Sequence, residues 1–147
     1  MKYCYDYPRP AVTADIIILK TINNQQFVLL IERKHPPFEG MWALPGGFVN
    51  MDETLEAAAL RELREETRIT GVELEQFHTF SEVNRDPRHR TITTVFIGKS
   101  GDTTASPEAG DDAAKTEWFA LDQLPPLAFD HGMVMEMVKA KLKITSP

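Results

Sequence analysis

Three glutamates in the middle of the chain are spaced so that their carboxylates could act together. Glu62, Glu65 and Glu66 stand at positions i, i+3 and i+4 of a segment, Thr54 to Thr67, that is rich in Ala, Leu, Glu and Arg and contains neither Pro nor Gly. This composition predicts a helix, which places the three carboxylates on one face. Such neighbours repel by about 0.2 to 0.5 kcal/mol per pair. A Mg²⁺ ion would reverse the sign, because it takes oxygen ligands and bridges carboxylates to substrate phosphates.

A glycine pair stands just before the predicted helix. Gly46 and Gly47 follow Pro45, and consecutive glycines permit positive φ angles and close approach of the backbone to a ligand. Asp52 and Glu53 lie near the expected helix start, where the positive end of the helix dipole favours acidic side chains. A Glu/Arg-rich helix is usually a solvated face and a Gly-Gly pair usually an ordinary turn, so the exact residue types alone do not decide the function.

The full spacing resembles the Nudix box, written G-x5-E-x7-R-E-U-x-E-E-x-G-U with U aliphatic. Gly47 is followed after five residues by Glu53, and after seven more by the run Arg61 to Ile69. Every fixed position of the pattern matches except one, where the family has glycine and this chain has Arg68. A pattern with so many fixed residues is highly specific for the family.

The resemblance implies an α/β fold, the α/β/α sandwich with a mixed central sheet, and hydrolysis of a nucleoside diphosphate linked to another moiety. It implies Mg²⁺ or Mn²⁺ as cofactor, held by Glu62, Glu65, Glu66 and the backbone carbonyl of Gly46. The same resemblance gives Gly47, Glu53 and Arg61 a structural role in bracing the loop against the helix.

Catalysis requires a group that deprotonates the attacking water, and carboxylates suit that role when they lie within hydrogen-bond reach. The resemblance gives Glu65 and Glu66 catalytic roles and allows a base from a loop outside the box. The acidic segment Ser100 to Ala113 supplies the candidates Glu108, Asp111 and Asp112, each of which could equally be a solvated loop carboxylate.

Arg68 stands where the family glycine suits a left-handed helix cap. A residue other than glycine costs on the order of 1 kcal/mol there if φ stays positive. Gly71 lies three residues further on and is an alternative place for the helix to terminate.

Three further stretches resemble the bacterial ADP-ribose pyrophosphatase branch of the family: Leu44 to Val49, Arg85 to Arg90 and Leu124 to His131. They imply hydrolysis of ADP-ribose to AMP and ribose 5-phosphate. Arginine offers a planar fork of donors that suits phosphate, and aromatic rings can stack on adenine. The substrate-binding candidates are therefore Arg33, Arg85, Arg88, Arg90 and Trp42, with Phe38 as a second ring. A surface arginine is as often merely solvated, and a Trp beside a strand more often belongs to the core.

Two other functions share the box. One is the sanitation of oxidised nucleoside triphosphates, and the other is a non-catalytic ADP-ribose-sensing domain of the kind joined to DNA-binding domains in related repressors. The intact set of predicted metal ligands favours catalysis. Related ADP-ribose enzymes are often homodimers, so the resemblance makes a homodimer possible here as well.

Composition narrows the remaining possibilities. The chain has 147 residues, a net charge of −6 and one cysteine, Cys4. We expect a single domain over residues 1–147 in a reducing, cytoplasmic compartment, without signal peptide or membrane span. The acidic charge argues against nucleic acid as a partner but not against a small phosphorylated nucleotide, since a metal can offset both negative charges.

The elements that must position these residues follow from the pattern of apolar residues. Strands are predicted at Ala11 to Leu19, Gln26 to Glu32, Val72 to Val83, Thr91 to Gly98 and Thr116 to Ala120, and a terminal helix at His131 to Leu142. Near-continuous apolar runs in the first two predict strands buried on both faces. The terminal helix is expected to pack through Met133, Val134, Met137, Val138 and Leu142.

Overall fold

The computed structural model describes residues 2–100 and 113–145. Within these ranges the chain forms seven strands and two helices. In chain order they are β1 (Ala11–Ile22), β2 (Gln25–Arg33), β3 (Trp42–Ala43), β4 (Gly46–Phe48), α1 (Leu55–Thr67), β5 (Glu75–Phe80), β6 (Thr91–Lys99), β7 (Ala113–Ala120) and α2 (His131–Thr145). The described helices are too short or too polar to cross a bilayer.

The strands form one mixed sheet with β1 at its centre. β1 runs parallel to β6, with Ala11 opposite Thr91 and Leu19 opposite Lys99, and the other pairings between these strands are antiparallel. The path of neighbours is β3-β2-β1-β6-β5, while β4 pairs with the first part of β1 and β7 with β2. The predicted mixed central sheet is therefore confirmed.

The two faces of the sheet are covered by different helices. Along β1 the side chains alternate, so that Ile16 and Ile18 enter one buried cluster while Ile17 and Leu19 enter another. The first cluster includes Ala58, Ala59 and Leu63 of α1, and the second includes Val134, Met135 and Val138 of α2. These two layers confirm the predicted α/β/α sandwich.

The buried face of α2 differs in part from the expected one. Val134 and Val138 are buried as predicted, but Met133 is 46% exposed and Met137 37% exposed, whereas Met135 is fully buried. Successive residues of a helix are rotated by about 100° around its axis. Met133 and Met137, each one position before a buried valine, therefore face solvent, whereas Met135, one position after Val134, faces the sheet.

α1 ends at the position where the family glycine is missing. Thr54 caps its start by accepting a hydrogen bond from the Ala57 N–H, and Arg68 caps its end with φ 67° and ψ 6°. The Arg68 N–H donates to the Arg64 carbonyl at 2.8 Å. The expectation that Gly71 might end the helix is therefore wrong; Gly71 has φ +73° in the following turn.

Several strands have bounds other than those expected, and β1 extends to Ile22, three residues past the predicted Leu19. β5 is shorter than the predicted Val72 to Val83, because its pairing with β6 extends only over Glu75–Phe80. β7 begins at Ala113, earlier than the predicted Thr116, because it pairs with β2 as far as Arg33.

Candidate active site

A cleft of about 420 Å³ opens at the end of the sheet where β4 meets α1. Its walls come from β1, the end of β2 and the loop after it, β4, α1, the loop before β6, and the residues that lead into α2. Elements distant in the chain therefore meet at one place. Glu62 and Glu66 from α1 and Arg33, Arg85 and Arg88 from elsewhere all line the cleft.

Arg61 organises the box segment, which we define as Gly47 to Ile69. Its guanidinium donates to both carboxylate oxygens of Glu53, at 2.6 to 3.2 Å, and to the Phe48 carbonyl at 3.0 Å. The same group pairs with Glu62 at 2.7 Å and Glu65 at 3.1 Å. Hydrogen bonding to Glu53 raises the pKa of Arg61 above its ordinary value. The geometry is that of a structural brace between β4 and α1.

Glu53 completes this brace from the loop side. Hydrogen bonds from Arg61 and from the Asn50 N–H lower the pKa of Glu53 to about 2. The Asn50 N–H lies 2.8 Å from Glu53 Oε1, so the carboxylate joins the loop backbone to the helix.

The two glycines allow the carboxylates of α1 to lie against the loop. A Cβ on Gly47 would come within 2.5 Å of the Glu62 carboxyl carbon, and a Cβ on Gly46 would overlap Asp15. The Gly46 N–H donates to Glu66 Oε2 at 3.0 Å. At Gly46 the overlap with the backbone of Ala14 and Asp15 leaves room only for glycine, whereas a side chain at Gly47 would displace the Glu62 carboxylate.

In donor chemistry, though not in the positions that the side chains adopt here, Glu62, Glu65, Glu66 and the Gly46 carbonyl fit a hard divalent cation, because they offer only oxygen. Glu62 and Glu66 line the cleft, whereas Glu65 is 52% exposed and turned to Arg61. In this arrangement no three Asp, Glu, His or Cys side chains of residues 2–100 and 113–145 form a group that could hold a metal.

Two arginines share one aromatic ring in the cleft. The guanidinium carbon of Arg33 lies 4.8 Å from the centre of the Phe129 ring, and that of Arg88 lies 5.6 Å from it. Burial and the nearby Arg88 lower the pKa of Arg33. Two like charges in a part-buried place form a site that an anion would stabilise.

Arg88 is held by Asp86, which is only 6% exposed. Arg88 Nη2 lies 2.8 Å from Asp86 Oδ2, and this hydrogen bonding raises the pKa of Arg88. Burial favours a higher pKa for Asp86, but the hydrogen bonds from Arg88 outweigh it and lower that pKa. The ion pair fixes the direction in which Arg88 reaches the cleft.

The other substrate-binding candidates lie in different surroundings. Arg85 lines the cleft but makes a two-pronged ion pair with Asp130, at 2.7 and 2.9 Å. Arg90 donates to the Ser81 carbonyl, and its side chain is not brought to the cleft. Trp42 packs edge-on against Phe119, with ring centres 4.9 Å apart, and is partly buried against the core cluster that includes residues of α2.

Sequence reasoning missed Asp15 and gave His131 only a part in starting α2. Both line the cleft; Asp15 is 8% exposed and His131 4% exposed. Asp15 Oδ2 accepts a hydrogen bond from Thr93 Oγ1 at 2.7 Å. The available signal was a lone carboxylate in the apolar run of β1, where a buried charge needs partners.

Three candidates for the general base come from the acidic segment after β6. Glu108, Asp111 and Asp112 lie in residues 101–112, outside the part of the chain that the structure describes.

Comparison with known proteins identifies a family that matches most of the chain. The NUDIX domain matches residues 10–138 of the chain. The chain is similar to the ADP-ribose pyrophosphatase of Methanocaldococcus jannaschii, with 44% identity over 132 residues that cover 88% of this chain and 73% of the relative. It is also similar to the ADPR responsive transcriptional repressor NtrR of Acinetobacter baylyi, with 36% identity over 93% of this chain and 56% of the repressor. The chain thus spans little more than half of that repressor.

Among solved structures, the NUDIX domain of Shewanella oneidensis NrtR complexed with ADP ribose has a similar fold. The TM-score is 0.86 and the identity 30%, and the match covers 94% of each chain.

Proposed function

The chain belongs to the Nudix family of pyrophosphohydrolases, and from that premise we propose that it hydrolyses ADP-ribose to AMP and ribose 5-phosphate. The observation that carries the proposal is a single cleft with carboxylates of the box segment, Glu62 and Glu66, and the arginine pair Arg33 and Arg88. Carboxylates are suitable ligands for a metal ion, and arginines are suitable donors to the diphosphate that the metal would also bind.

The arginine pair has a defined part in this reaction. Arg33 and Arg88 repel each other in the free cleft, and the negative charge of a diphosphate removes that repulsion. Because Arg33 donates to the Pro37 carbonyl at 2.7 Å and Arg88 to Asp86, both guanidinium groups are oriented before substrate arrives. Such preorganisation supports tight binding of the charged part of the substrate.

We further propose Mg²⁺ or Mn²⁺ as cofactor, held by Glu62, Glu65, Glu66 and the Gly46 carbonyl. When bound, a divalent cation acidifies a water molecule and neutralises charge on phosphate oxygens. The glycine pair supports the assignment, because it lets Glu62 and Glu66 lie directly against the loop backbone.

Replacement of Glu66 tests the proposal. With Mg²⁺ and ADP-ribose, the wild-type chain should release AMP, measured by separating nucleotides over time. We expect Glu66→Gln to lower kcat by at least about 100-fold, since it removes a charge at the cation while its amide can still accept from the Gly46 N–H. Glu56→Gln on the same helix is the matched control, because Glu56 bonds Gln76 and does not line the cleft.

The outcomes separate the competing functions. AMP release by the wild type and the control, but not by Glu66→Gln, supports the proposal. Faster turnover of an oxidised purine triphosphate than of ADP-ribose would identify the triphosphate as the substrate. Saturable binding of ADP-ribose without any product would favour the sensing function found in the related repressors. The similarity to NtrR is the observation that keeps sensing in the comparison.

A further inference from the structure

We infer that His131 is a positioning residue, whose imidazole holds the backbone of Leu44 and thereby sets the place of Gly46 in the cleft. The inference rests on the proposed function, because Gly46 belongs to the proposed metal site. It gives a specific task to the first residue of α2, which lies on the opposite face of the sheet from α1.

The contact joins two segments that are far apart in the chain. The Leu44 N–H donates to His131 Nδ1 at 3.1 Å, across 87 positions of sequence. Both residues are buried, Leu44 at 2% and His131 at 4% exposure. Leu44 lies in the gap between β3 and β4, so a side chain takes the place of a strand partner for its N–H. A buried N–H that loses its acceptor destabilises the folded state. The bond to His131 therefore restrains the backbone around Leu44.

The bond also fixes which imidazole nitrogen carries the proton. A backbone N–H can only donate, so Nδ1 must present its lone pair and the proton of the neutral ring must be on Nε2. Nε2 faces Asp15 Oδ2 at 3.7 Å, which is longer than a hydrogen bond but close enough for attraction. Asp15 is itself held by Thr93. The surroundings of the ring therefore favour the tautomer that can accept from Leu44.

The start of α2 is held independently of this ring. Asp130 receives two hydrogen bonds from Arg85, which is 4% exposed in its side chain. The imidazole therefore projects from a backbone that the Arg85–Asp130 ion pair anchors, and the Ala128 N–H just before it donates to the Trp42 carbonyl at 2.8 Å.

Three anchors then hold the three residues from Leu44 to Gly46. His131 accepts from the Leu44 N–H, the Ile16 N–H donates to the Pro45 carbonyl at 2.8 Å, and Glu66 accepts from the Gly46 N–H at 3.0 Å. They come from α2, β1 and α1 respectively. Removal of the first anchor frees the Leu44 N–H two residues before Gly46, so that of the three only the Ile16–Pro45 bond and the Gly46–Glu66 bond remain.

This arrangement predicts an effect on kcat rather than on KM. Arg33 and Arg88 keep their own partners, Pro37 and Asp86, so the affinity for the diphosphate is preserved. A displacement of Gly46 acts on the proposed metal site, and small misplacements of that kind can lower kcat by about 100-fold.

Two amide variants of His131 separate positioning from simple filling of space. In His131→Asn the side-chain oxygen can take the place of Nδ1 and accept from the Leu44 N–H, whereas in His131→Gln the amide extends toward the place of Nε2. His131→Ala removes both. We expect the Ala and Gln variants to lose about 10- to 100-fold in kcat with KM within about 3-fold, and the Asn variant to stay within about 3-fold of wild type in both.

Amide hydrogen exchange, measured by NMR without metal or substrate, provides the second readout. Exchange of the Leu44 amide should accelerate at least about 10-fold in the Ala and Gln variants and return near the wild-type rate in the Asn variant. The Val49 amide, bonded to the Val12 carbonyl at 3.0 Å, is the internal control and should not change.

The inference is overturned if Leu44 exchange is unchanged in His131→Ala, or if His131→Asn behaves like His131→Ala in both exchange and kcat. A rise in KM at constant kcat would also overturn it, because it would place His131 in substrate binding. If the wild-type chain turns over no ADP-ribose, the proposed function fails, while the exchange rates still decide whether His131 holds Leu44.

Discussion

Arg68 is the residue at which the chain departs from the Nudix box, and its backbone adopts a conformation that costs free energy for any residue other than glycine. Its φ of 67° is in the left-handed region, where a residue with a Cβ costs about 1 to 2 kcal/mol. Glycine avoids that strain but loses about 0.5 to 1 kcal/mol more in chain entropy on folding. We therefore expect Arg68→Gly to raise the free energy of unfolding by about 0.5 to 1 kcal/mol, measured by urea denaturation.

Arg68→Ala is the matched control, because it removes the same side chain and keeps the strained φ. It should change stability by less than about 0.5 kcal/mol. Equal stabilisation by the Ala and Gly variants would contradict the prediction and would point to repulsion between Arg68 and Arg64, one helical turn away, instead of backbone strain.

At the scale of elements, the junction of β4 and α1 depends on charge. Glu53 in the connecting loop and Arg61 in α1 form the brace, and Arg61 also binds the Phe48 carbonyl of β4. Because the pKa of Glu53 is about 2 in the folded chain and near 4.3 when unfolded, protonation destabilises the junction. Its stabilisation is fully present above the unfolded pKa and is lost as the pH falls toward 2.

Glu53→Gln should remove that pH dependence. Between pH 5 and pH 2.5, we expect the wild-type free energy of unfolding to fall more steeply than that of Glu53→Gln, measured by urea denaturation at each pH. NMR titration of the Glu53 carboxyl should give a pKa near 2. A carboxyl that titrates near its ordinary value, or parallel slopes for the two proteins, would show that the brace does not depend on this charge.

At the scale of the whole molecule, the elements that were predicted from the sequence are those that local patterns of residues determine. Apolar runs predicted β1 and β2, and composition predicted α1 to within one residue at its start, because a helix and its caps are set by near neighbours. The resemblance to the Nudix box implied a pairing of Glu53 with Arg61, and Arg61 Nη2 lies 2.6 Å from Glu53 Oε1.

Contacts between distant segments were beyond such patterns. The parallel pairing of β1 with β6 and the approach of Asp15 to His131 depend on how whole elements assemble. Met133 and Met137 were assigned to the core because apolar type alone does not reveal which side of a helix the sheet will cover. Local geometry was thus predicted best where the residues are close in sequence, and contacts were predicted least well where the cleft brings remote residues together.

The ion pair of Arg85 and Asp130 allows a test of how a contact between distant segments contributes to the stability of the whole molecule. It joins the loop before β6 to the start of α2 across 45 positions, with side-chain exposures of 4% and 15%. Asp130→Asn leaves the buried Arg85 charge without its carboxylate, which should cost about 3 kcal/mol of unfolding free energy in chemical denaturation. The Glu136→Gln variant is the control, because Glu136 pairs with Lys139 while 73% exposed, and should cost less than about 1 kcal/mol. If both substitutions cost the same, the buried ion pair would not be what holds this loop to the start of α2.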